Sequence, residues 1–294
     1  MIYIQKYTYI QSFMTKSMFF VVLENQDLQS TLQKSFFKML AETGTLLTDY
    51  HGINITPGAN DTAHFSYLQY LSLTSGDAIQ IKNDAIKTFD VENLSNLFEE
   101  KGISWKSYVE NLPVGSPFLF NNDYNQINYL DEPVNKFYPS YVRKHNPFIN
   151  YLNVQNDPKK YKNIVNATQL ISDIEYDRVP QYALYIPNMT NNGHNTNLDV
   201  ANDAMISTFM PLFKNKNFTK DRIFIFLFDE SYFKTDPTNL IYATFWGDSV
   251  KKDNKITENY NHYNMYYTVI DNFKLKGYEN PKYPPIVGFM KKNK

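Results

Sequence analysis

The chain has 294 residues, of which 43% are hydrophobic and 16% aromatic, so it can bury a sizeable core and is not disordered by composition. Its net charge of -1 at pH 7 gives no indication of nucleic acid or of an anionic membrane as a partner. Cysteine is absent, which excludes disulfides, thiolate metal sites and cysteine nucleophiles.

The chain carries no signal for membrane insertion or export. No apolar run reaches the roughly 18 residues expected of a transmembrane helix. Residues 1–17 lack a basic start, an apolar centre and a cleavage site, so we expect no secretion signal, and no compartment is indicated. Because no linker or internal repeat is visible, we expect one domain over residues 1–294, with an irregular insertion around 112–141.

The first elements predict an α/β fold. An apolar run over residues 17–23 predicts a buried strand, and apolar positions at helical spacing predict a helix over 28–42. We expect Gly44 to end this helix because it tolerates a positive φ. A second strand is predicted over 45–50, and this β-α-β beginning favours a parallel sheet with right-handed crossovers.

A serine follows the next loop, at the start of a predicted helix. The loop covers residues 51–63 and the helix 67–74, so Ser66 lies at a helix N-terminus. Free backbone N–H groups there favour an anion, and a nearby metal would activate the hydroxyl. The local pattern by itself favours a simple helix cap.

The middle and the end of the chain supply histidines in loops. Further elements are predicted as helices over 91–102, 161–174, 199–213 and 259–272 and as strands over 181–186 and 240–246. His145 lies in a basic turn beside Asn146, which predicts either an anion pocket or a solvated turn. His194 follows a strand on a Gly- and Asn-rich loop, which is a typical place for a site residue.

The strongest local signal is the apolar run over residues 222–228, which ends in Asp229 and Glu230. The run is too short for a helix and does not alternate, which is typical of a strand buried in a parallel sheet. Ligands of such sheets bind outside the carboxyl ends of strands. Two adjacent carboxylates repel each other unless a cation lies between them, so a hard divalent metal is one interpretation and an acidic turn the other.

Motifs in the same order along the chain resemble the phosphoesterase family of acid phosphatases and bacterial-type phospholipases C. They are residues 20–25 (Phe-Val-Val-Leu-Glu-Asn), 102–110 (Gly-Ile-Ser-Trp-Lys-Ser-Tyr-Val-Glu), 144–148 (Lys-His-Asn-Pro-Phe), 185–189 (Tyr-Ile-Pro-Asn-Met), 192–194 (Asn-Gly-His), 228–230 (Phe-Asp-Glu) and 260–263 (Tyr-Asn-His-Tyr). The family belongs to the alkaline phosphatase-like superfamily, which implies a central, mostly parallel sheet with helices on both sides.

The resemblance implies roles for ten side chains. The metal ligands are Glu24, Asn25, Asp229 and Glu230; the catalytic residues are Ser66, His194 and His262; the substrate-binding residues are His64, His145 and Asn146. The resemblance assigns the nucleophile to Ser66 because residues 64–70 keep the His, Ser and Tyr of the family segment His-Pro-Ser-Gln-Pro-Asn-Tyr. A Ser-Gly-Asp follows at 75–77, as it does in the family.

The chain departs from the family pattern in its serine loop and in one histidine loop. Both prolines of the serine segment are missing, and its Asn is replaced by Gln69. The usual Gly-His-Asp is Gly-His-Asn here, with Asn195 in place of the carboxylate. These departures favour, to some extent, a member that binds a phosphorylated ligand without turning it over.

The expected activity is hydrolysis of phosphate esters through a phosphoseryl intermediate, with one divalent cation of unspecified identity. A small phosphate ester is the expected partner, and the oligomeric state is not indicated. Two alternatives stay open: a phospholipase C acting on phospholipid headgroups, and a catalytically impaired protein that binds a phospho-ligand.

Overall fold

A computed structural model describes residues 16–55, 64–81, 83–85, 87–112, 141–233, 236–275 and 280–292. The strands are β1 (Ser17–Leu23), β2 (Thr45–Leu47), β3 (Tyr50–His51), β4 (Trp105–Val109), β5 (Ile164–Asn166), β6 (Tyr182–Ile186), β7 (Arg222–Phe228), β8 (Ala243–Trp246), β9 (Asn254–Ile256) and β10 (Tyr260–Asn261). The helices are α1 (Leu28–Leu32), α2 (Ser35–Thr43), α3 (Ser66–Ser75), α4 (Leu94–Lys101), α5 (Leu152–Gln155), α6 (Pro158–Tyr161), α7 (Gln169–Glu175), α8 (Leu198–Phe213), α9 (Lys216–Thr219) and α10 (His262–Phe273), and short 3-10 turns cover Gly76–Ala78, Arg143–His145 and Pro147–Asn150.

Eight strands form one sheet in the order β5-β4-β6-β1-β7-β8-β2-β9. Every pairing in it is parallel except those of β8, which runs antiparallel to β7 and to β2. The strands β3 and β10 pair separately beside it. The prediction of an α/β fold with a mostly parallel sheet is therefore confirmed.

Two consecutive aromatic residues of β1 join the sheet to helices on both of its faces. The Phe19 ring contacts the ring of Phe209 in α8 with centroids 6.0 Å apart. Phe20 points the other way and contacts Tyr182 in β6, which packs on Phe98 of α4. This alternation is the ordinary consequence of strand geometry, and it explains why the strand reads as continuously apolar.

Two of the predicted helices are interrupted. The helix expected over 28–42 is divided into α1 and α2. The helix expected over 161–174 is wrong at its start, because Ile164–Asn166 pair as edge strand β5 beside β4. The β-branched Ile164 and Val165 suit a half-buried sheet edge, and a pattern of apolar spacing alone did not separate that from a helix.

Gly44 does end α2, but not for the predicted reason. Its φ is -134°, which is extended backbone rather than the left-handed region. A Cβ at this position would lie 2.3 Å from the carbonyl oxygen of Phe245 in β8. The glycine is needed because the helix end passes very close to the backbone of the sheet.

The carboxyl ends of β1, β6 and β7 meet at one edge of the sheet, as parallel pairing requires. The irregular insertion predicted around 112–141 lies outside the described residues, except for its two end residues. In the part of the chain that the structure describes, no helix combines the length and the apolarity needed to cross a membrane.

Candidate active site

The predicted metal ligands from two distant parts of the sequence meet at this edge. The register of β1 and β7 pairs Leu23 with Phe228, so the residues that follow each strand lie side by side. The backbone N–H of Asn25 donates to Asp229 Oδ1 at 2.9 Å, and its side-chain amide donates to Glu230 Oε1 at 3.3 Å. Asn25 adopts a φ of 45°, which turns the chain so that its backbone N–H faces the carboxylate.

Ser66 joins the same cluster. It is the first residue of α3, and the N-cap residue is Phe65, so the hydroxyl is not used as a cap. Its Oγ instead lies 3.3 Å from Glu24 Oε2 and 3.1 Å from Glu230 Oε1. One serine hydroxyl therefore contacts carboxylates that follow two different strands.

Three oxygens of the cluster fit a hard cation. Glu24 Oε1, Asn25 Oδ1 and Asp229 Oδ2 are buried and accept no hydrogen bond. Buried oxygens are normally partnered, and carboxylate and amide oxygens are the donors that Ca²⁺ and Mg²⁺ prefer. Within the described ranges, no three His, Asp or Glu side chains form a ready ligand cage. The fit rests on these unpartnered oxygens, one of which is an amide.

Burial makes two of these carboxylates hard to ionise. Burial raises the pKa of Glu24 to about 8, and the neighbouring Glu230 charge adds to this, whereas Lys144 lowers it. Burial, followed by the charges of Glu24 and Glu230, also holds the pKa of Asp229 well above its usual range. A cation in the cluster would reverse this preference by favouring the ionised forms.

His64 contacts Glu230 of the cluster through one nitrogen of its ring and the backbone of Phe233 through the other. Its Nδ1 lies 2.9 Å from Glu230 Oε2, and its Nε2 lies 3.1 Å from the carbonyl oxygen of Phe233. Both ring nitrogens therefore face protein acceptors. The predicted contact of His64 with substrate stays a prediction, whereas its contact with Glu230 is direct.

His262 is the first residue of α10 and is fully buried. Its Nε2 lies 2.6 Å from the carbonyl oxygen of Asp229, and its Nδ1 lies 2.8 Å from the hydroxyl of Tyr50. A carbonyl only accepts, so Nε2 carries the proton and Nδ1 accepts from the tyrosine. Burial lowers the pKa of His262 to about 4, which keeps this neutral form.

His145 lies against the other side of Glu24, with its Nε2 3.2 Å from Glu24 Oε1. The two atoms are not aligned for a hydrogen bond, so each is buried without such a partner. The ring stacks on Tyr70 with centroids 5.0 Å apart. Burial, then the charges of Lys144 and His194, hold the pKa of His145 well below its usual range.

The remaining two predicted residues lie in different surroundings. Asn146 is fully buried and accepts a hydrogen bond from Ser107 of β4 at 3.4 Å. His194 is half-buried, and its ring stands edge-on to that of Tyr232 with centroids 6.2 Å apart. His194 is close enough to His145 for its charge to affect the pKa of that ring. Of these two, only His194 is partly exposed.

Sequence reasoning missed Lys144 as an individual site residue. Its Nζ donates to Asp84 Oδ2 at 2.9 Å, and it is the main group that lowers the pKa of Glu24. The sequence placed Lys144 only in a basic turn. Its partner Asp84 lies 60 residues away in the chain, and no local sequence pattern predicts the pairing.

Two buried amides that the sequence did not identify hold the loops of the site. Gln69 accepts a hydrogen bond from the N–H of Ile53 at 2.7 Å and donates to its carbonyl at 2.9 Å. Asn239 accepts from the N–H of Ser231 at 2.7 Å. The departure from the family pattern at Gln69 therefore has a local explanation, because both ends of its amide are used in fixing the loop before α3.

Comparison with known proteins gives the same family as the motifs. Residues 22–276 match the model of the Phosphoesterase family. The probable acid phosphatase of Kluyveromyces lactis is 31% identical over 88% of this chain and 58% of its own length. The phosphate-repressible acid phosphatase of Penicillium chrysogenum is 30% identical over 86% of this chain and 58% of its own length. The chain thus spans less than two thirds of these relatives.

Solved structures agree on the fold. A protein of the alkaline phosphatase superfamily from Vibrio parahaemolyticus superposes with a TM-score of 0.55 at 12% identity, over 89% of this chain and 67% of that one. The phosphonate monoester hydrolase of Silicibacter pomeroyi gives a TM-score of 0.55 at 6% identity, over 89% of this chain and 74% of that one. At such identities the likeness extends to the fold alone.

Proposed function

The chain belongs to the Phosphoesterase family, and from this we propose that it hydrolyses phosphate esters with Ser66 as nucleophile and one divalent cation as cofactor. The observation that carries the proposal is the hydroxyl of Ser66, which lies within 3.3 Å of carboxylates from β1 and β7. A cap or a core serine would have no reason to contact two buried acids. The acid phosphatase relatives support the same chemistry.

The residues that would hold the cation are Glu24, Asn25, Asp229 and Glu230. When bound, such a cation lowers the pKa of a neighbouring hydroxyl and offsets the charge of a phosphate. The three unpartnered oxygens of the cluster support this assignment. The identity of the ion is left open, because carboxylate and amide oxygens suit several hard cations.

In the first step, Ser66 Oγ forms a bond to phosphorus while the bond from phosphorus to the ester oxygen breaks. The hydroxyl proton passes to Glu230 Oε1, 3.1 Å away. During this step the oxygens of Glu24, Asn25 and Asp229 that accept no hydrogen bond would hold the cation. The leaving oxygen takes a proton from a general acid and departs as an alcohol. In the second step, the general acid, now without its proton, takes a proton from the water that attacks the phosphoserine. The bond between phosphorus and Oγ breaks, and Oγ regains its proton from Glu230.

We assign the general acid role to His194 rather than His262. His194 is half-buried on a loop and near the cluster, whereas both nitrogens of His262 are taken by Tyr50 and Asp229. His262 would instead fix the backbone that presents Asp229. Lys144 would supply positive charge beside the phosphate, since it already acts on Glu24 across the site.

The test is Ser66→Ala, assayed with p-nitrophenyl phosphate and a divalent cation. We expect hydrolysis to fall by roughly three orders of magnitude or more, because removal of a nucleophile leaves only binding and electrostatic contributions. The matched control is Ser72→Ala on the same helix, whose hydroxyl donates to the carbonyl of Gln69 and has no carboxylate contact. Equal turnover in the Ser66 and Ser72 variants would rule out this nucleophile.

The two alternatives give different results in the same assays. A phospholipase C would hydrolyse phospholipid in liposomes in preference to p-nitrophenyl phosphate. A protein that only binds phosphorylated ligands would take up the cation and bind phosphate, and it would turn over none of a broad panel of esters. The contacts of Gln69 remove part of the support for this second alternative, since its amide has a structural use.

A further inference from the structure

An exposed pair of aromatic side chains follows the acidic turn of the site. Tyr232 and Phe233 come directly after Ser231, and their side chains are exposed by 48% and 66%. The two rings contact each other edge to face, with centroids 5.0 Å apart. Single exposed apolar residues are common on any surface, whereas two exposed aromatic rings in contact beside a polar site are a candidate surface for a ligand.

The pair is fixed to the residues around Ser66 on two sides. The carbonyl of Phe233 accepts from His64 Nε2 at 3.1 Å, and the other nitrogen of that ring contacts Glu230. Glu230 in turn lies 3.1 Å from Ser66 Oγ. The Tyr232 ring stands edge-on to His194, the residue assigned to protonate the leaving oxygen.

We propose that Tyr232 and Phe233 form the subsite for the leaving group, and that they select esters whose alcohol is aromatic. The proposal rests on the proposed function, because it takes Ser66 as the attacking group. Tyr232 contacts His194, which would protonate the leaving oxygen, so the pair lies on the side of the leaving group. Both rings are exposed and are therefore available to a ligand. Aromatic rings in this position would stack on an aryl group and remove its apolar area from water.

The test compares 2-naphthyl phosphate with phenyl phosphate, two esters whose phenols are similarly acidic but differ in apolar area. In the double variant Tyr232→Ser with Phe233→Ser, we expect the ratio of the two kcat/KM values, naphthyl over phenyl, to fall about fivefold. Both backbone carbonyls remain, so the contact with His64 is kept. The control Tyr176→Ser removes another exposed aromatic, 62% accessible at the end of α7, and should keep the wild-type ratio.

A second measurement keeps the two proposals separable. Binding of both esters to Ser66→Ala, with and without the double substitution, needs no turnover. If the naphthyl ester binds more tightly than the phenyl ester, and this preference is lost when Tyr232 and Phe233 are replaced, the subsite is supported. This holds even if the wild type hydrolyses no ester, a result by which the proposed function would fail. An unchanged preference in both assays overturns the subsite. If the double substitution lowers only the hydrolysis of phospholipid in phosphatidylcholine vesicles, the subsite is also overturned. The two rings would then be assigned to contact with a lipid surface.

Discussion

Glu24 is a buried carboxylate beside the serine that we propose as nucleophile. It is almost completely buried, contacts the Ser66 hydroxyl, and lies 3.2 Å from a histidine that burial keeps neutral. A carboxylate takes up a proton instead of holding its charge when the cost of burial outweighs its hydrogen bonds. Glu24 is therefore stable in two forms: protonated in the empty site, or ionised when a cation is bound.

This gives a prediction for the pH dependence of stability without metal. The pKa of Glu24 is about 8 in the folded protein and lies near 4.5 when the chain is unfolded. Because the folded pKa is raised, the folded state keeps its proton between pH 4.5 and 8 while the unfolded state loses it. Stability should therefore fall as the pH rises through this window, by on the order of 1 kcal/mol per pH unit relative to a variant without the group.

The measurement is urea unfolding of the wild type and of Glu24→Gln in EDTA at pH 5, 6, 7, 8 and 9. The difference in free energy of unfolding should change in favour of the glutamine variant as the pH rises, and level off above pH 8. Because the charge of Glu24 affects the pKa of Asp229, the same comparison is repeated in an Asp229→Asn background. A difference that does not depend on pH would contradict the raised pKa.

At the residue scale, the sequence was informative where a polar group follows a buried strand. Glu24 and Asp229 could be predicted because strand ends of a parallel sheet share an edge, and the motif order added Ser66. Lys144 and Asn239 could not, because their use depends on contacts with residues far away in the chain. Lysines in turns and asparagines in loops are too common for their type alone to mark a site.

At the scale of elements, the first turn of α10 contacts the turn that carries Asp229. The helix begins with a capping box, in which the side chain of Asn261 accepts from the N–H of Asn264 at 3.4 Å and the side chain of Asn264 accepts from the N–H of Asn261 at 2.9 Å. The next residue, His262, holds the carbonyl of Asp229. The helix start and the carboxylate turn are thus joined through one buried ring.

We therefore expect Asn261→Ala to lower the free energy of unfolding by about 1 kcal/mol, the usual cost of losing an N-cap. Because His262 follows directly, the same change should also weaken cation binding, which isothermal titration would measure. The control is Asn215→Ala, which removes the N-cap of α9, away from the carboxylates. The control should lose stability in the same range and keep the affinity for the cation. Equal affinities for the cation in the two variants would show that the start of α10 does not influence the proposed cation site.

The long elements could be predicted, and the short edge strands could not. The central strands β1 and β7 and the helix α8 follow from their apolar patterns, since burial on both faces or on one stripe leaves a clear periodicity. The edge strands β5 and β9 have three residues each. A strand so short has no period of its own and exists because a neighbour offers a free edge.

At the scale of the whole molecule, the site closes a loop in the chain of more than 200 residues. The contact between Asn25 and Asp229 joins residues 204 positions apart, and Ser66 is 164 positions from Glu230. In the folded protein the oxygens lie together, whereas in the unfolded chain they are far apart. A cation that binds all of them therefore binds the folded state and not the unfolded one.

This difference predicts that a divalent cation raises the melting temperature. At a concentration of 100 times Kd, binding to the folded state alone adds about 2.7 kcal/mol, which corresponds to roughly 5 °C for a domain of this size. Thermal unfolding would be followed in EDTA and then in Mg²⁺, Mn²⁺ or Ca²⁺. Asp229→Asn should lose most of the shift, because it removes a charge from the cluster, whereas Asp199→Asn, a carboxylate 73% exposed on α8, should keep it. A melting temperature that no divalent ion changes would remove the metal from the proposal, and it would do so independently of any assay of activity.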